Sequence, residues 1–161
     1  LAQANEPLSP RLQSRVVDKA YTLTNKVIYM DSNLKRLLKR NCLGVAYLPI
    51  HGKGYLVRTK ENKKDYIIVN ENLSDEETEK VILHEIGHYE HDKEVLGSYK
   101  HNLRSRAISE HEANKFMIHQ EIKSYINQGY DAININYVNL ADSLGTKDYF
   151  QVKEELEKYC E

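Results

Sequence analysis

The sequence predicts an α+β fold: a small antiparallel sheet packed on a long helix, followed by a C-terminal helical segment. Three observations carry this expectation. Strand-like runs rich in Val, Ile and Tyr follow one another at Val45–Ile50, Tyr55–Thr59 and Tyr66–Asn70, separated by Gly and Asn/Lys turn material. A capped helical pattern starts at Ser74, and a second long one ends near Gln128. At 161 residues, 40% of them apolar, the chain is long enough for about one ordinary domain with one modest core.

Taken in order, residues 1–8 read as a disordered or added end, 9–128 as the main domain and 129–161 as its helical extension. Ser9-Pro10 opens an amphipathic helix whose Leu12, Val16, Val17, Ala20 and Leu23 recur at helical spacing, with Pro in a tolerated first-turn position. Lys26–Asp31 is short and β-branched, as a first strand would be. Ser32 or Asn33 then caps a helix carrying Leu34, Leu37 and Leu38, whose Lys35, Arg36, Lys39 and Arg40 read as a solvated face. The three strand-like runs that follow make an antiparallel meander.

Ser74-Asp75-Glu76-Glu77 has the form of a capping box, and three acids in the first turn suit the positive end of the helix dipole. The helix it starts should run from Asp75 to about Asp92, with Val81, Ile82, Leu83 and Ile86 as its apolar content. Lys93–Arg106 contains a Gly and has weak periodicity, so it reads as a surface loop. The second long helix begins at about Ser105 or Ser109 and turns Ala113, Phe116, Met117, Ile118, Ile122 and Ile126 inward, with Gly129 at its C′ position. The tail places Val138, Leu140, Leu144, Phe150, Val152, Leu156 and Tyr159 on a helix pair broken at Gly145-Thr146. Such a pair resembles a helix-turn-helix DNA reader in outline, but Glu154, Glu155 and Glu157 make helix packing the better reading.

Charge removes several function classes. With 23 basic against 24 acidic residues the net charge is −1, so no global field favours nucleic acid or an anionic membrane. No apolar run approaches the ~20 residues that span a bilayer, and LAQANEPLSP lacks the charged-then-apolar pattern of a signal peptide. Cys42 and Cys160 stand alone, forming neither a disulfide framework nor a zinc pattern, and a cytoplasmic location is expected. One feature is left over: of seven His, six fall between His84 and His119.

His84-Glu85-Ile86-Gly87-His88 is an H-E-x-x-H sequence inside the first long helix. Residues four apart on a helix differ by ~40° about its axis, so His84 and His88 project from one face and can both present a nitrogen to one metal ion. Glu85 lies beside that face, where its carboxylate can reach a nucleophilic water without ligating the metal. A catalytic zinc typically takes three protein groups, so a third ligand is needed. His91 follows in line on the same helix and would crowd the first two. His101, Glu110, His111 and Glu112 come from another direction and stay open on spacing alone. A group that polarises a substrate carbonyl is also required, and His91, Tyr99, His101 or Arg104 are candidates.

ILHEIGHYEHD, followed 22 residues after His88 by Glu110-His111-Glu112-Ala113-Asn114-Lys115-Phe116, resembles the ImmA/IrrE family of zinc metallopeptidases, with its HELGH and E-x-E-A-N-x-F. Upstream, YIIVNENLSDEETEKVILHE is similar to that family's strand, N-x-x-L-S turn and acidic helix start. The likeness covers Asp65 to Met117; after Phe116 the chain departs from it, with Met117-Ile118-His119-Gln120 in place of a small residue and an LLMP-like stretch. It implies a zincin-like metallopeptidase fold, one catalytic zinc ion, Glu110 as third ligand and Asn114 as a partner holding a ligating His ring. It further implies a zinc-dependent endopeptidase whose protein partner is a helix-turn-helix repressor of a mobile element, prophage or stress regulon. The other reading is a non-proteolytic anti-repressor that binds the repressor, with zinc serving structure only. A third, DNA binding through the terminal helix pair, runs against the near-zero net charge.

Overall fold

The computed structural model describes residues 30–59, 64–92 and 103–160. The helix expected over residues 9–23 and the loop expected at 93–106, up to residue 102, lie outside them. Of the strand expected at Lys26–Asp31 only Met30 and Asp31 are described, and neither is in a strand. The elements are α1 (Ser32–Arg40), β1 (Gly44–Leu48), β2 (Gly54–Val57), β3 (Tyr66–Asn70), α2 (Asp75–His91), α3 (Leu103–Asn127), α4 (Tyr137–Leu144) and α5 (Tyr149–Glu157). The fold is α+β, as expected. The chain divides into two compact units between Ile86 and Gly87, inside the continuous helix α2. No helix among the described residues is long and apolar enough to cross a membrane.

In the first unit α1 buries Leu34, Leu37 and Leu38. Its cap is Asp31 and not Ser32 or Asn33, because Asn33 uses its side-chain oxygen to accept from Arg36 at 2.7 Å and Ser32 donates to Asp31. The sheet is the larger correction. Its order is β1-β3-β2, with β1 parallel and β2 antiparallel to β3, so it is mixed and not an antiparallel meander. The cause lies in β3, where Ile67, Ile68 and Val69 are each 0% exposed. A strand that is apolar on consecutive residues needs cover on both faces, and the centre of the sheet provides it. β2 buries only Val57 and takes an edge.

This order obliges the β1–β2 connection to pass the end of β3, and Asn70 holds it there. The Asn70 side-chain amide donates to Ile50 O (3.0 Å) and Gly52 O (2.8 Å), while its oxygen accepts from the Asn72 amide at 3.1 Å. At Gly54 a Cβ would lie 2.5 Å from Val81 Cγ1, so β2 crosses α2 where a side chain would not fit. α2 starts as expected: the Glu77 amide donates to Ser74 Oγ at 3.2 Å, and the Glu77 carboxylate returns toward the Ser74 amide at 3.5 Å. Ile82 and Ile86 are its fully buried apolar residues.

In the second unit α3 begins earlier than expected, so Ser105 and Ser109 lie within it and neither caps it. Ala113, Met117, Ile118 and Ile122 are buried, whereas Phe116 and Ile126 are only partly so. Gly129 (φ 91°) and Gly145 (φ 72°) end α3 and α4 in the left-handed region, and Asn136 caps α4 through its side-chain oxygen. The terminal pair packs through Leu140, Leu144, Val152 and Leu156. Val138 and Phe150 are exposed instead, because each precedes an inward residue by two positions, about 200° around the helix.

Glu155, one of the three acids of the tail, is 1% exposed. Its carboxylate accepts from His119 Nδ1 on α3 at 2.8 Å and from Lys158 Nζ. Burial alone would raise its pKa, but the Lys158 and His119 hydrogen bonds outweigh that and hold it below the ordinary carboxylate value. A lowered folded pKa gives stability that is present above the unfolded value of about 4.3 and is lost as pH falls through the folded one. Glu155→Gln should therefore cost about 1–3 kcal/mol near neutral pH. Urea unfolding should show the gap between wild type and variant closing as the pH falls below that range.

Candidate metal centre

The centre is built on two helices. The Ser74 cap sets where α2 begins, and three turns later the same helix presents His84 and His88 one turn apart, both partly buried. Glu85 is 9% exposed. α3 carries Glu110. In the second unit α2 and α3 touch backbone to backbone: a Cβ at Gly87 would lie 2.9 Å from Ala113 Cα, 3.0 Å from Ala113 O and 3.2 Å from Phe116 Cβ. Glu110 lies one turn before Ala113 on α3, so this crossing carries it to His88, with His88 Nε2 and Glu110 Oε1 3.7 Å apart.

One ligand atom from each of His84, His88 and Glu110 falls within 4.8 Å of the others. A tetrahedral zinc with bonds of about 2.0–2.1 Å separates its ligand atoms by about 3.3–3.4 Å. The three groups therefore need only a small inward movement to share an ion, and two imidazoles with one carboxylate suit zinc and several other divalent ions.

The family model of the IrrE N-terminal-like domain, a peptidase family, matches residues 39–159. The chain belongs to this family. The ImmA/IrrE likeness thus extends past the motif region, from the end of α1 through β1–β3 to the C-terminal helices. No curated protein and no solved structure matches the chain. Membership gives this IrrE-like chain a metallopeptidase-type function, its α+β architecture is consistent with the zincin-like fold, and His84, His88 and Glu110 are compatible with a zinc ion.

The remaining candidates are placed less centrally. Asn114 is exposed, and His88 finds its partners elsewhere: Nδ1 lies 2.9 Å from Asp92 Oδ2 and 3.1 Å from Ser109 Oγ. At the His88 ring it is Asp92 and Ser109, and not Asn114, that lie within hydrogen-bond distance. Asp92 follows His88 by four residues, a spacing that would have disclosed it; Ser109 was masked by its reading as a possible start of the second long helix. His91 is exposed and edge-on to Phe116, with ring centroids 6.2 Å apart. Arg104 is exposed in the first turn of α3, as is His111 farther along, and Glu112 is partly buried. Tyr99 and His101 lie outside the described residues.

Gly87→Ala pits two effects against each other. Alanine gains about 1 kcal/mol of helix propensity, whereas overpacking typically costs about 1–3 kcal/mol, and here it meets two backbone atoms that cannot rotate away. The clash should win: thermal unfolding should show a lower midpoint, and zinc titration a weaker site, because Glu110 is pushed back from His88.

Proposed function

We propose that this chain is a zinc-dependent endopeptidase whose substrate is a helix-turn-helix transcriptional repressor of a mobile element, prophage or stress regulon. The observation that carries the catalytic part is the convergence of His84, His88 and Glu110 with the buried carboxylate of Glu85 adjacent in sequence to the first ligand. The substrate rests on the ImmA/IrrE likeness alone.

His84, His88 and Glu110 would hold the ion, which when bound acts as a Lewis acid toward the scissile carbonyl and toward the attacking water. Glu85 takes a proton from that water as its oxygen bonds to the carbonyl carbon. When the C–N bond breaks, Glu85 gives the proton to the leaving amine, which restores the carboxylate. Burial suits this exchange, since a carboxylate shielded from bulk water passes its proton to the substrate nitrogen in preference to solvent. An extended substrate segment can pair with an edge strand of the small sheet through backbone hydrogen bonds, a common mode of peptide recognition. His91, Tyr99, His101 or Arg104 would assist the carbonyl. Neither a membrane nor direct contact with nucleic acid enters this reading, in keeping with a net charge of −1.

The competing reading is an anti-repressor that binds without cutting, its zinc purely structural. Glu85 separates the two, because a structural zinc site has no use for a carboxylate next to a ligand. Wild type and Glu85→Gln, both zinc-loaded, should bind a panel of helix-turn-helix repressors alike, while cleavage falls about a hundred- to ten-thousand-fold in the variant on gels. Equal relief of repression by both, with the repressor intact, would establish the anti-repressor instead. In parallel, elemental analysis should find one zinc per chain in wild type and none in His84→Ala.

A further inference from the structure

Ser109 is an unusual residue for the interior of a helix. It lies seven residues into the 25-residue α3, is 4% exposed, and precedes Glu110. Serine has no propensity reason to be there, since its hydroxyl competes with the helix backbone. What it touches supplies one. Ser109 Oγ lies 2.6 Å from Asp92 Oδ1 and 2.8 Å from Oδ2, and His88 Nδ1 lies 2.9 Å from Asp92 Oδ2 and 3.1 Å from that same hydroxyl. The side chains of His88 and Asp92 are 12% and 14% exposed, so water contributes little to this cluster.

With the Asp92 carboxylate ionised and the His88 ring neutral, these four contacts favour one arrangement. An ionised carboxylate only accepts, and a hydroxyl has one proton. If the Ser109 proton goes to Asp92, Nδ1 of His88 must carry a hydrogen, because an unprotonated Nδ1 would set its lone pair against those of both oxygens. A neutral imidazole with hydrogen on Nδ1 has its lone pair on Nε2, the atom 3.7 Å from Glu110 Oε1.

We propose that Asp92 and Ser109 form a tautomer lock on His88. It holds the ring as the Nδ1–H form with Nε2 ready to ligate, and ties this choice to the placement of Glu110 through its neighbour Ser109. Both are positioning residues: they act on the metal through His88 and touch neither the ion nor the substrate. The proposal rests on the metal-site reading above and adds to it a reason for a buried serine inside α3. The lock also joins the helices at a second point, about one turn of α3 from the Gly87–Ala113 contact.

The test has two arms. In the first, long-range 1H–15N NMR of metal-free, histidine-labelled wild type, with His88 assigned by the signal lost in His88→Gln, should show His88 as the Nδ1–H tautomer. Finding the Nε2–H form overturns the proposal, and this arm needs no variant of the lock to fold. In the second, zinc affinity from chelator competition should fall about 10–100-fold in Ser109→Ala and Asp92→Ala, the usual loss when a group supporting a ligand is removed. Ser109→Thr, which keeps the hydroxyl, should recover most of it. Unchanged affinity in both alanine variants overturns the lock. Absence of zinc binding by wild type would instead overturn the metal site, with the tautomer still reporting on the lock.

Discussion

Helices α2 and α3 approach most closely at Gly87 and Ala113, residues with no side chain larger than a methyl group, and the candidate centre depends on that approach. At Gly87 there is no room for a Cβ against the backbone of Ala113. Helices packed through larger side chains keep their axes about 8–10 Å apart, and a glycine facing an alanine brings them toward the short end of that range. A carboxylate on a short Glu side chain can then reach the ring of His88 across the crossing. The HExxH glycine and the alanine of the second motif are therefore as much part of the site as its ligands, though neither has any chemistry to offer.

Close approach alone does not choose a register, because apolar surfaces slide. In the second unit α3 is pinned by two carboxylates, each within hydrogen-bond distance of an imidazole Nδ1 and of one further donor. Near the start of α3 it is Asp92, with His88 and Ser109; toward its end it is Glu155, with His119 and Lys158. Directional bonds in a dry setting specify one arrangement where hydrophobic contact would accept several. One of these clusters contains a candidate ligand and the other does not. The excess of His between residues 84 and 119 thus divides between chemistry and architecture.

Much of this was legible in the sequence wherever the deciding interaction is local. The capping box at Ser74, the helical spacing of His84 and His88, the break at Gly145 and the bounds of β3 all depend on residues within a turn or two of each other. The sheet order was not, because pairing is decided by which strand needs cover on both faces. The run of Ile67, Ile68 and Val69 held that information, but the Gly and Asn/Lys turn material between the three runs suggested that consecutive strands pair. Phe150 and Glu155 reverse the usual assignment of apolar in and charged out: rotation about α5 turns the first outward, and partners on α3 and beyond the end of α5 allow the second inward. For the third ligand, spacing alone left His101, Glu110, His111 and Glu112 open. The motif likeness pointed to Glu110, and the structure groups that residue with His84 and His88.

The central claim is that one helix crossing gathers His84, His88 and Glu110 around a single ion. A zinc-edge anomalous difference map from crystals of the zinc-loaded protein tests it most directly. The account expects one peak, at about 2.0–2.2 Å from a ring nitrogen of His84, Nε2 of His88 and a carboxylate oxygen of Glu110. A peak bound by other residues, or by His84 and His88 without Glu110, would contradict it.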